Sequence, residues 1–138
     1  MIDVANLSVT LSDKPILQNY SLSVGQGDVL AILGANGVGK TTLLNCIVGL
    51  ARPTSGEALV LGRQMPSEAS LARIGYMTQS DGLYPELSVW ENLRFFGALY
   101  GVTDDAALRR ALGTVELADR AESPVLDLSG GMRRRASL

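Results

Sequence analysis

The stretch Gly34-Ala35-Asn36-Gly37-Val38-Gly39-Lys40-Thr41 constrains this chain more than any other. It matches G-x-x-x-x-G-K-[ST] in full. A run apolar at every position, Val29-Leu30-Ala31-Ile32-Leu33, precedes it, and Thr42-Leu43-Leu44-Asn45-Cys46-Ile47-Val48-Gly49 reads as the helix that follows. Strand, glycine loop and helix in that order form a phosphate-binding loop. Glycine lets the backbone wrap an anion without a Cβ in the way, and successive N–H groups make a nest for it. The helix start adds unpaired N–H groups and the positive end of its dipole. Lys40 supplies a point charge expected at the β- and γ-phosphates, and the Thr41 hydroxyl suits a Mg²⁺ ligand.

The chain has 138 residues, 46% of them hydrophobic, which suffices for a domain with a core. Twelve Lys+Arg against fourteen Asp+Glu give −2, which suggests no nucleic-acid surface. Cys46 is the single cysteine and sits inside the expected helix, so a disulfide framework is excluded and the thiol reads as small core filler. Histidine is absent, which removes histidine base catalysis and histidine metal ligation from this chain. The N-terminus lacks the pattern of a signal peptide. The longest apolar runs are about five residues, against the ~20 needed to cross a bilayer. These features predict a soluble chain held at a membrane, if at all, by a partner.

Residues 2–11 alternate loosely and read as an antiparallel strand with a break near Asn6; Ser12-Asp13-Lys14-Pro15 is a turn. Ile16-Leu17 and then Leu22 and Val24 suggest two more short strands. Val29 to Leu33 predicts a strand buried on both faces of a parallel sheet. Glu57 to Gly62 reads as a strand, Ser67 to Ala72 as a short helix, and Ile74 to Thr78 as a second central strand running into Gln79. Ser88 and Glu91 form a capping box. The helix behind it should bury Val89, Leu93, Phe96 and Tyr100 and stop at Gly101. Thr103-Asp104-Asp105 starts a helix with an apolar stripe of Leu108, Ala111, Leu112 and Val115. Ser123-Pro124 breaks the pattern, and Leu128-Ser129-Gly130-Gly131-Met132 opens a last helix. Arg133-Arg134-Arg135 on it reads as a solvated face. Trp90, Phe95 and Phe96 read either as core or as a docking surface.

With the phosphate loop, Gln79 at the end of a strand, and Leu128-Ser129-Gly130-Gly131-Met132-Arg133-Arg134 in that order, the chain resembles an ABC transporter nucleotide-binding domain along its whole length. The last motif is similar to the LSGGQ signature, with Met132 in place of Gln. Arg52-Pro53-Thr54-Ser55-Gly56-Glu57 and Leu83-Tyr84-Pro85-Glu86-Leu87-Ser88-Val89-Trp90-Glu91-Asn92-Leu93 are also in that family's style, closest to ATPases of ABC-2-type exporters. The resemblance implies an α/β P-loop NTPase of ABC type. Its parts would be a mainly β subdomain (1–28 and 57–66), a P-loop core (29–56 and 67–82) and a helical subdomain (83–138).

The resemblance also assigns roles. Gly34, Ala35, Asn36, Gly37, Val38, Gly39 and Lys40 would cradle the phosphates of ATP. Thr41 would bind Mg²⁺ and Thr42 would reach the α-phosphate. Gln79 would touch Mg²⁺ or the attacking water. Ser129, with Gly130 and Gly131, would contact the γ-phosphate held by another subunit's loop. Leu11 stands where the family usually has an aromatic residue against adenine. The family's Walker B strand, its catalytic Glu and its switch His follow the signature and are not among these residues. The chain is therefore expected to be a fragment that lacks the C-terminal core strands, leaves residues 29–33 with an exposed edge, and binds ATP without turnover. The implied partners are transmembrane permease subunits and a second ATP-binding domain, in a homo- or heterodimer on the cytoplasmic face of a membrane, with no nucleic acid. The implied function is coupling of ATP binding and hydrolysis to transport, with export as the implied direction. The alternatives are a non-transporter ABC-type ATPase and a nucleotide-binding remnant.

Overall fold

The alternation of residues 2–11 produces the strand on which the N-terminal half is built. A computed structural model describes residues 1–78 and 80–138. Strand β1 (Ile2–Leu11) pairs antiparallel with β2 (Lys14–Val24) on one side and β3 (Ser55–Val60) on the other; β4 (Arg63–Gln64) extends the sheet beyond β3, giving the order β2-β1-β3-β4. Ser12 and Asp13 both take positive φ, the geometry that joins two strands through a two-residue turn. The expected break lies at Asn6 (φ 49°), where the β1–β2 register shifts between Val4 and Leu7. Opposite it, Gly56 has φ 77°, and a Cβ there would collide with the carbonyl oxygens of Ala5 and Asn6. Where two short strands were expected after the turn, β2 runs unbroken for 11 residues.

One face of this sheet carries Val4, Leu7, Val9, Ala58 and Val60. Helix α1 (Lys40–Ile47) lays Leu43, Cys46 and Ile47 on it. Each such large side chain removed from water contributes roughly 1.5–3 kcal/mol. Cys46 is core filler, as expected, and burial raises its thiol pKa. Helix α2 (Glu68–Leu71) is short; its Ser70 is buried and donates its hydroxyl to the Val60 carbonyl at 3.0 Å.

Two expected central strands are not strands. Among the described residues, nothing pairs with residues 29–33, and Val29 and Leu33 are 98% and 90% exposed. Residues 74–78 likewise join no ladder, although Ile74 and Ile32 pack against the sheet's core. An apolar run biases a segment towards burial, but a strand exists only with neighbours for its N–H and C=O groups.

The chain divides into two compact units, Met1–Tyr76 and Met77–Leu138. The second is helical: α3 (Val89–Leu99), α4 (Asp105–Thr114) and α5 (Gly130–Ala136), with 3₁₀ turns at Ala118–Arg120 and Val125–Asp127. The Ser88–Glu91 capping box forms in full: Glu91 N–H donates to Ser88 Oγ at 3.1 Å, and Ser88 N–H donates to Glu91 Oε2 at 2.8 Å. Asp104 caps α4 by accepting from Ala106 and Ala107. The core joins Val89, Trp90, Leu108, Leu112, Leu117, Ala121, Val125 and Leu128. Two stripe expectations need correction. Tyr100 is 82% exposed because α3 ends at Leu99 and Gly101 turns the chain at φ 75°; Ala111 is exposed while Leu108 and Leu112 carry the burial. Trp90 belongs to the core, with Arg109 Cζ 4.7 Å from its ring centroid.

Candidate phosphate site

The phosphate loop meets α1 at Gly39. This residue has φ 100° and serves as N-cap without a side-chain cap bond. A Cβ on it would stand 2.9 Å from Leu17 Cδ2 and 3.1 Å from the Ile16 carbonyl oxygen. Both its conformation and its closeness to β2 therefore require glycine. Leu43 N–H donates to the Gly39 carbonyl at 2.8 Å, which makes it the first closed turn. The N–H groups before it have no intrahelical acceptor, and no side chain caps them. A helix end of this kind suits an anion.

Lys40 reaches back over the loop. Its Nζ donates to the carbonyls of Gly34 at 2.8 Å and Ala35 at 2.7 Å. The ammonium thus ties the beginning of the loop to its end. The residues between, Ala35 to Val38, stay exposed, and so does Thr41 at the first turn of α1, while Thr42 is half-buried. The donor set fits a Mg-nucleotide: backbone N–H groups and one ammonium for phosphate oxygens, one accessible hydroxyl for a hard cation. Leu11, at the end of β1, is 55% exposed and available to a ligand.

The segment after α1 is anchored to it. Tyr76 Oη donates to Asn45 Oδ1 at 3.1 Å. The sequence offers no signal for this bond, since neither residue belongs to a motif. Gln79 lies outside the described residues.

The signature residues belong to the second unit. Ser129 is the N-cap of α5 and its Oγ accepts from Met132 N–H at 3.3 Å. Leu128 before it is buried, whereas Ser129, Gly130 and Gly131 are exposed and nothing stands within 4 Å of a Cβ built on Gly131. The three arginines that follow keep 38–46% of their side chains exposed, as a solvated face would, and each also donates to a carbonyl. Arg133 donates to the Leu128 carbonyl, Arg134 to the Thr78 carbonyl, and Arg135 to the Val115 carbonyl and Glu116. A separate aromatic group joins Tyr84, Phe95 and Phe96, with ring centroids 5.2–6.0 Å apart. Tyr84 and Phe95 are exposed.

Known proteins match this picture. The ABC transporter family profile covers residues 17–138. The chain is 40% identical over 142 residues to the Nod factor export ATP-binding protein I of Rhizobium meliloti (strain 1021), covering 99% of this chain and 42% of that protein. It is 38% identical to the protein of the same name from Cupriavidus metallidurans, covering 47% of it. The chain thus spans about half the length of the curated relatives it matches. Among solved structures, an ATP binding subunit of an ABC transporter matches with TM-score 0.83 at 27% identity, over 99% of this chain and 59% of that one. The cbiO1 protein of Clostridium perfringens, part of the ABC transporter complex cbiONQ, matches with TM-score 0.84 at 28% identity, over 99% of this chain and 58% of that one. With a profile match over most of its length and a phosphate loop of this geometry, the chain belongs to the ABC transporter family.

Proposed function

We propose that this chain is the nucleotide-binding part of an ATP-driven exporter. The observation that carries the reading is the open N-terminal end of α1 joined to a loop that Lys40 holds by two carbonyls. Residues 34–40 receive the phosphates of ATP, and Thr42 reaches the α-phosphate. Lys40 keeps its charge at the loop and exchanges a carbonyl partner for a phosphate oxygen. Thr41 and Gln79 hold Mg²⁺, which when bound neutralises charge on the β- and γ-phosphate oxygens. Leu11 packs on the base by apolar contact alone. Ser129, Gly130 and Gly131 offer a hydroxyl and backbone N–H groups to the γ-phosphate on a second ATP-binding domain. Loss of that phosphate loosens the pair.

Export is supported by the names of the two Nod factor relatives, and a permease partner by the transporter complex that contains cbiO1. Among the described residues no helix is long and apolar enough to cross a membrane. The permease partner proposed here would hold the chain at the cytoplasmic face. The exposed Tyr84–Phe95 pair is the proposed contact for it. These 138 residues by themselves are proposed to bind ATP without enzyme-like turnover, because the carboxylate that family members place after the signature is not among them.

The test is equilibrium binding of a fluorescent ATP analogue with and without Mg²⁺. Binding that Lys40→Ala weakens about 100-fold is the expected result. Binding equal in the variant and the parent chain sinks the reading.

A further inference from the structure

Arg133 is half-buried and makes a defined contact with its own helix end. Its side chain curls back along its own helix, and Nη1 donates to the carbonyl of Leu128 at 2.6 Å. Leu128 is buried in the helical core and directly precedes the Ser129 cap. The Nη2 atom stands 4.0 Å from the point where a Cβ on Gly130 would sit. The guanidinium therefore braces the turn from Leu128 to Gly130 from one side. A cation at the positive end of a helix is unfavourable by itself. Asp81 answers it: Oδ2 lies 3.6 Å from Arg133 Nε, and Oδ1 lies 4.0 Å from Arg134 Nη1. Arg134 in turn donates to the Thr78 carbonyl at 2.6 Å.

The geometry points to Arg133 as a positioning residue for the Ser129 turn, oriented by the Asp81 carboxylate. An exposed ion pair contributes little energy by itself, so the role lies in direction rather than strength. Asp81 fixes where the guanidinium points, and the guanidinium fixes the carbonyl in front of the cap. Lysine cannot replace it, since one ammonium lacks the planar fork that serves a carbonyl and a carboxylate at once. The role of this turn in phosphate contact rests on the function proposed above; the bracing of the turn does not.

Two measurements separate these. The first is backbone hydrogen exchange on the 138-residue chain. In Arg133→Gln and Asp81→Asn, exchange at the Met132 amide, which Ser129 caps, is expected to quicken about tenfold, the scale of one lost charge-assisted hydrogen bond. Amides of α4 keep their rates, and Asp81→Glu restores protection while Arg133→Lys does not. Unchanged Met132 exchange in both loss variants overturns the proposal. Asp81→Asn alone decides if Arg133→Gln fails to fold. The second is steady-state ATP hydrolysis by this chain extended at its C-terminus to the length of its longer relatives. There kcat is expected to fall about tenfold in Asp81→Asn while KM for ATP changes less than about twofold. A rise in KM with constant kcat overturns the proposed route through the signature turn. An extended protein that hydrolyses no ATP overturns the exporter reading instead, and the exchange measurement still decides the bracing.

Discussion

At the scale of single residues, Lys40 and Gly39 do separable work. The Lys40 ammonium makes two bonds to loop carbonyls but is anchored to no core residue. Removing it should leave folding nearly intact and cost binding. Lys40→Ala is expected to weaken ATP binding by about 100-fold, in line with roughly 1.5–3 kcal/mol for a hydrogen bond to a charged group, with the thermal midpoint moving little. Gly39→Ala should do both kinds of damage. Its φ of 100° is hostile to a side chain, and the new Cβ would press on Leu17 and the Ile16 carbonyl. A backbone held in such a region costs about 1–3 kcal/mol. Calorimetry and nucleotide titration on the same two variants check this: a Gly39→Ala chain with parental stability would show that β2 yields. The loop residues were legible in the sequence because phosphate chemistry fixes their types and spacing. The two carbonyls that hold Lys40, the Tyr76–Asn45 bond and the Arg133 brace were not, because each depends on how distant segments meet.

At the scale of elements, the start of α3 shows local chemistry deciding structure. Ser88 and Glu91 satisfy each other's backbone donors, and the sequence announces them by spacing alone. Ser88→Ala should destabilise the second unit by about 1 kcal/mol. The hydrogen bonds from Ser88, backbone first and side chain second, hold the Glu91 carboxyl below the usual carboxylate range. A carboxyl with a lowered native pKa adds stability above its unfolded pKa, and that contribution is lost as pH falls through the native value. Helix content in α3 should therefore drop between pH 5 and the acid limit in the parent chain, and Glu91→Gln should flatten that dependence. Equal acid profiles in the two proteins would remove Glu91 from the cap. The elements that sequence reading misplaced fail for the opposite reason. Residues 29–33 and 74–78 have strand composition, but pairing is a property of two segments, and no described segment pairs with them. In α3 the apolar period predicts a face through Tyr100, yet the Gly101 turn ends the helix first.

At the scale of the whole molecule, each unit encloses a core with its own reporter. The sequence holds one cysteine and one tryptophan, Cys46 and Trp90. Cys46 is packed between α1 and the sheet of the first unit; Trp90 lies in the helical core of the second. Burial raises the Cys46 thiol pKa, so thiolate is scarce as well as covered. Labelling of Cys46 by a thiol reagent thus requires the contact between α1 and the sheet to open. Leu7 is fully buried in that same core. Leu7→Ala should cost about 2–5 kcal/mol, and labelling limited by the open population should quicken at least 10-fold, since each 1.4 kcal/mol is about tenfold in population. Leu117, equally buried, packs in the core around Trp90. Leu117→Ala should lower the denaturation midpoint read by Trp90 fluorescence. Each substitution is thus predicted to move the reporter of its own core. A Leu7→Ala chain whose Cys46 labels at the parental rate would mean that α1 lifts from the sheet without disturbing Leu7. In that case the helix that carries Lys40 opens as a local event, and the phosphate loop is the least stable part of the first unit.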